Sequence, residues 1–267
     1  MSNTSQNDNS LKRPFYQAID NEIVIFKNCH QTRLPILLKG PTGCGKSRFV
    51  DAMAFDLDLP LVTVACNEDT SATDLVGRFL IKGNETVWQD GPLTRAVRTG
   101  AILYLDEVIE AREDVIVLIH SLSDYRRILY IDALAEVLQA PASFQMVLSY
   151  NPGYQKSFKE LKASTRQRFV ALNFNYPMPE TEAFIVQKEA GIDEKMSKTL
   201  VSLANKVRSL SELGLAESVS TRLLVNAGHL IREGVNPRLA AEVAIANSLS
   251  DEMETTRALK DLVALYL

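Results

Sequence analysis

Short apolar runs separated by amphipathic stretches set the pattern of the first two thirds of the chain. Leu34–Leu38, Leu61–Ala65, Ala101–Leu105, Met146–Tyr150 and Phe169–Phe174 are nearly unbroken apolar runs, as expected of strands buried on both faces of a parallel sheet. Helical patterns lie between them. In the clearest, Ser47–Leu57, residues Phe49, Val50, Met53, Ala54 and Leu57 form one stripe. Alternation of the two predicts an α/β layer fold. Two stretches interrupt it. Gly77–Pro92 carries apolar pieces on either side of Gly83-Asn84, a turn signal, and is expected to be a β-hairpin. Arg126–Pro141 contains the β-prone pieces Ile128–Ile131 and Glu136–Leu138 and is expected to form a second.

Beyond Pro177 and Pro179 the pattern becomes helical over Thr181–Ala190, Met196–Leu213, Ser220–Glu233, Pro237–Leu249 and Met253–Tyr266. Met196, Leu200, Leu203, Val207, Leu210 and Leu213 recur at steps of three and four. Asn236-Pro237 has the form of an N-cap followed by proline at the first helical position. The expected organisation is a polar, disordered tail (1–13), an α/β core (14–177) and a small all-α domain (178–267).

Composition narrows the class without naming an activity. The 267 residues are 46% hydrophobic and 23% charged, with a formal charge of −4, so no overall field draws the chain to nucleic acid or to an anionic membrane. Neither a spanning segment nor a signal peptide is evident, which makes a cytoplasmic location the expectation. Cys29, Cys44 and Cys66 lack metal-ligand spacing and are expected to be reduced thiols.

Local motifs carry the chemistry. Gly40-Pro41-Thr42-Gly43-Cys44-Gly45-Lys46-Ser47 fits G-x-x-x-x-G-K-[ST] between an expected strand and an expected helix, with Arg48 next in line. Such a loop turns backbone N–H groups and a helix N-terminus toward phosphates. Lys46 would reach the β- and γ-phosphates, and Ser47 would ligate Mg²⁺. A second strand ends in Asp106-Glu107. Beside a P-loop the first acid would hold the Mg²⁺ shell, and the second could polarise the attacking water. A third strand ends in Asn151, whose amide would reach the γ-phosphate if that strand lies between the other two. Arg166 and Arg168 precede the last core strand and Arg222 opens a helix of the all-α region. Guanidinium groups can stabilise a transferring phosphoryl group.

That ordered set resembles the AAA+ ATPases. The strings LPILLKGPTGCGKSRFV, VTVACNEDTSATDLVGRFL, VWQDGPLTRAVRTGAILYLDEVIEAR, LSYNPGYQ and LKASTRQRFV resemble the CbbQ/NorQ/GvpN group of the MoxR branch, and Val87–Arg95 is most similar to its CbbQ members. The resemblance implies a P-loop three-layer core with β-hairpin insertions, a helical lid, and a homo-hexameric ring that binds ATP between subunits. Gly40–Ser47, Asp106, Glu107 and Asn151 would act in cis, Arg168 (or Arg166) as a finger from the neighbour, and Arg222 as the lid sensor. It further implies a CbbO-like partner with a von Willebrand factor A domain, and inhibited ribulose bisphosphate carboxylase (Rubisco) as the client. The rival client is nitric oxide reductase. Rivals of another class are a nucleic-acid-dependent motor, disfavoured by the charge, and a nucleotide-gated scaffold.

Other residues point less clearly. Trp88, the only tryptophan, is expected either to grip a client or to pack on its own domain. His120 is expected to be structural or a relay, and His30 and His229 have no evident partners. Arg126, Arg127, Lys156, Lys159 and Lys162 lack the aromatic platform of a nucleic-acid surface.

Overall fold

In the computed structural model, which describes residues 13–152, 161–210 and 218–267, the five apolar runs form one parallel sheet. Its strands are β1 (Ile36–Lys39), β2 (Leu61–Ala65), β5 (Ile102–Asp106), β8 (Gln145–Tyr150) and β9 (Val170–Asn173), ordered β2-β5-β8-β1-β9. Residues 1–12, Lys156, Lys159 and Leu213 lie outside the described residues.

Side chains alternate between the two faces of this sheet. Leu37, Leu103, Leu105, Met146 and Leu148 enter one core cluster. Ile36, Leu38, Ile102, Tyr104 and Val147 enter the other. The second is closed by α1 (Glu22–Thr32) and α2 (Lys46–Asp56). The first is closed by α3 (Ala72–Val76), α4 (Pro92–Thr99) and α5 (Glu113–Ser123). Three layers result, with helices on both faces of a parallel sheet.

Both insertions are antiparallel hairpins. β3 (Gly77–Lys82) pairs with β4 (Glu85–Asp90), Lys82 opposite Glu85, and Gly83 takes the left-handed conformation the tight turn requires (φ +63). β6 (Ile128–Ile131) pairs with β7 (Glu136–Gln139). Trp88 is half-buried: its ring packs edge-on against Phe79 at 5.2 Å and its Nε1–H donates to Asp90 at 2.7 Å. Its contacts are therefore with its own domain.

After the short α6 (Ala163–Arg166) and β9 the elements are helical: α7 (Pro179–Ala190), α8 (Glu194–Ser209), α9 (Thr221–Arg232), α10 (Pro237–Ala241), α11 (Asn247–Leu249) and α12 (Met253–Tyr266). Their apolar faces share one cluster that includes Val186, Leu200, Leu203, Val207, Leu224 and Leu259. Asn236 caps α10 through its side-chain oxygen. The continuous helix expected over Pro237–Leu249 is interrupted by a π-helical turn, Glu242–Ala246. α1 was not anticipated at all. Its buried residues are Glu22, Phe26 and Cys29, with Val24 exposed between them, so its stripe is weak. Among the described residues no helix is long and apolar enough to cross a membrane.

Candidate functional site

A cavity of about 870 Å³ lies where three parts of the chain meet: the segment Phe15–Ile19, the loop from β1 into α2, and the first turns of α9. Asp106, Glu107 and Asn151 project into it from the ends of β5 and β8. β8 lies between β1 and β5, so the Asn151 terminus sits beside both the loop and the acids.

The loop's conformation depends on its glycines. Gly45, at the N-cap of α2, has φ +102, and Gly43 has φ +68, values that L side chains avoid. A Cβ on Gly43 would also meet Ser220 at 2.7 Å, so the loop and the start of α9 are in direct contact. Lys46 is only 6% exposed, and its ammonium donates to the Gly40 and Pro41 carbonyls at 2.8 and 3.0 Å. Gly40 and Pro41 are not on the cavity wall, while Thr42 to Arg48 line it. Cys44 is buried and burial pushes its thiol pKa up, which suits a spacer and not a nucleophile. Arg48 is paired with Glu189 of α7 at 3.1 Å.

The acids are differently held. Asp106 Oδ1 accepts from the Tyr104 hydroxyl at 2.8 Å and from the Ser149 hydroxyl. Its Oδ2 is left facing the Ser47 hydroxyl at 3.4 Å. Ser47 is also 3.3 Å from the Tyr104 oxygen. Both Ser47 contacts are long, so the hydroxyl is loosely engaged. Two hard oxygens, Ser47 Oγ and Asp106 Oδ2, therefore converge at the cavity wall, a donor set that fits a hydrated divalent cation such as Mg²⁺. Burial pushes the Glu107 carboxyl above the usual range, partly offset by the nearby Lys46 charge and by a bond from the Asn151 backbone N–H. Glu107 itself sits in the left-handed region, φ +52, a strained position for a non-glycine residue. The Asn151 amide reaches Thr42 Oγ1 at 3.4 Å.

The arginines divide into two groups. Arg222 lines the cavity from α9, with Val225, Asn226 and His229 following on the same helix face. Arg166 and Arg168 are exposed, are not on the cavity wall, and form no ion pair among the described residues. His120 Nε2 lies 2.9 Å from Thr165 Oγ1 at the base of this arginine segment, and burial, with the Arg168 and Lys162 charges, lowers its pKa.

Residues 35–169 match the AAA domain (dynein-related subfamily), and residues 182–266 match the CbbQ/NirQ/NorQ C-terminal region. Protein CbbQ of Hydrogenophilus thermoluteolus is 54% identical over 247 residues, 92% of each chain. Protein NorQ of Paracoccus denitrificans is 53% identical over 260 residues, 97% of this chain and 96% of that one. Denitrification regulatory protein NirQ of Pseudomonas aeruginosa is 54% identical over 254 residues, 95% and 98% of the two chains. The chain belongs to the CbbQ/NirQ/NorQ family of AAA ATPases. Solved structures agree on the fold. A putative ATPase from Cytophaga hutchinsonii matches with TM-score 0.52 at 19% identity, covering 94% of this chain and 90% of that one. A RuvB mutant from Thermotoga maritima matches with TM-score 0.56 at 13% identity, covering 91% and 69%.

Several supports of this cavity lie outside the motifs that the sequence displays. Tyr104 and Ser149 are polar residues inside otherwise apolar strand runs, two positions before Asp106 and Asn151, so period-two alternation could have placed them on the face of those residues. Tyr176 donates from its hydroxyl to the Thr42 carbonyl at 3.2 Å, while Arg208 stacks 4.1 Å above the Tyr176 ring. Arg208 also forms a two-pronged pair with fully buried Glu182, which accepts from Thr221 at 2.6 Å. This chain of contacts ties α7, α8 and the start of α9 to the phosphate loop.

Proposed function

We propose that this AAA ATPase is a Mg²⁺-dependent ring motor that uses ATP hydrolysis to remodel a partner enzyme. The observation that carries the reading is the convergence of Ser47 Oγ and Asp106 Oδ2 at 3.4 Å beside half-buried Glu107 and buried Lys46 in one cleft. In this reading Lys46 exchanges the carbonyls of Gly40 and Pro41 for phosphate oxygens, helped by the backbone amides of Gly43–Ser47 and the dipole of α2. Ser47 and Asp106 hold the metal. Held by these two residues, Mg²⁺ would supply charge neutralisation to the phosphates. Glu107 accepts the proton of the attacking water, a role its raised pKa favours. Asn151 orients that water, and Arg222 approaches from the lid helix. Arg168, with Arg166 as the alternative, completes the site of the next subunit in a homo-hexamer. The exposure of both arginines, away from their own chain's cavity, favours this arrangement.

For the client, the resemblance around Val87–Arg95 favours ribulose bisphosphate carboxylase, acted on together with a CbbO-like von Willebrand factor A-domain partner. A second reading, maturation of nitric oxide reductase, is favoured by NorQ and NirQ relatives at the same level of identity. A direct test incubates inhibited carboxylase with the purified chain, ATP, Mg²⁺ and the partner. Recovery of carboxylation above the partner-free control is the expected result. No recovery, together with rescue of nitric oxide reductase activity on co-expression, would move the client to the reductase.

A further inference from the structure

Hydroxyl protons around Asp106 can be counted. Tyr104 and Ser149 each carry one, are 1% and 0% exposed, and are both within donating reach of the same carboxylate oxygen, Oδ1. A hydroxyl has a single hydrogen. The 3.2 Å contact between Tyr104 and Ser149 therefore cannot be a further donation once both protons are on Oδ1. Ser149 keeps its lone pairs, and one of them accepts the Glu107 backbone N–H at 3.3 Å. Two consequences follow. The carboxylate's rotation about its Cβ–Cγ bond is fixed with Oδ1 turned into the sheet, leaving Oδ2 to face Ser47. Ser149, two residues before Asn151 on β8, also ties that strand to the backbone of the neighbouring acid.

We infer that Tyr104 and Ser149 are positioning residues that set the metal affinity of this site by holding Asp106 Oδ1 and presenting Oδ2 toward Ser47. Neither lines the cavity, and Tyr104 also lies 3.3 Å from the Ser47 hydroxyl. Removing the outer partners of a metal-ligating group weakens metal binding about 10–100-fold in general, so the effect is measurable apart from turnover. This inference rests on the proposed assignment of Mg²⁺ to Ser47 and Asp106.

The test titrates a fluorescent ADP analogue into the full chain, in Mg²⁺ and in EDTA, for wild type, Asp106→Asn, Ser149→Ala, Ser149→Thr and Tyr104→Phe. The ratio of the two affinities is the readout, and nucleotide hydrolysis does not enter it. Wild type should bind more tightly in Mg²⁺, and Asp106→Asn should lose that gain. Ser149→Ala and Tyr104→Phe should each reduce it about tenfold with affinity in EDTA unchanged, while Ser149→Thr, which keeps the donor, should retain it. Tyr104→Phe preserves the ring and decides the matter if Ser149→Ala melts. If Asp106→Asn loses the gain but Ser149→Ala and Tyr104→Phe both keep it at the wild-type level, the positioning role is overturned while the metal assignment stands. If wild type shows no gain, or Asp106→Asn keeps it, the metal assignment itself fails.

Discussion

Two carboxylates and two arginines of this molecule are treated in opposite ways. Asp106 is held by two buried hydroxyls, and Glu182 by Arg208 and Thr221. Arg166 and Arg168, on the short segment before β9, are left in solvent with no ion pair among the described residues. Burying a carboxylate without partners would cost several kcal/mol, so fully buried Glu182 has to be satisfied within the chain, and half-buried Asp106 is satisfied on its inward oxygen. An exposed guanidinium carries no such cost and is available for something outside the chain. In the proposed ring the contrast separates what one subunit completes from what it offers to another, and substitutions on the two sides should fail differently.

The largest expected effect is on the open side. Arg168→Ala should lower ATP turnover by about 10³-fold or more if it is a finger, while leaving urea stability within about 0.5 kcal/mol, as for other exposed positions. A loss of stability instead would erase the contrast. On the closed side, Glu107→Gln should cut phosphate release by about 10²–10⁴-fold with nucleotide affinity retained, and wild-type turnover in that variant would remove the base assignment. Glu182→Ala leaves Arg208 without its buried partner and should destabilise the chain by about 3–5 kcal/mol in urea unfolding. A change below 1 kcal/mol would mean that the lid network contributes little. The smallest effect belongs to Arg48→Ala at the cleft rim, where an exposed pair with Glu189 contributes about 0–1 kcal/mol.

The sheet and the phosphate loop were legible in the sequence because both rest on local pattern. Nearly unbroken apolar runs marked each strand, and the glycines at 43 and 45 marked the turn that their positive φ values require. α1 was not legible, because its buried Glu22 carries charge. The carboxylate accepts from the Tyr16 hydroxyl and from the Ile19 and Asp20 amides, so a polar residue occupies a core position. Tyr104 and Ser149 required the strand order as well as the pattern, since β5 and β8 become neighbours only in the folded sheet. Arg166 and Arg168 stay unranked in both views. They are two residues apart and both exposed, and the feature that distinguishes them would lie on another subunit.

That division between subunits is tested most directly by mixing. Arg168→Ala chains keep an intact phosphate loop, and Lys46→Ala chains keep the arginine. Each parent should be inactive, and combining them should restore ATP hydrolysis at those interfaces where an intact loop meets an intact arginine. Mixed assemblies that form, as verified by native mass spectrometry, yet hydrolyse no more ATP than either parent would contradict it.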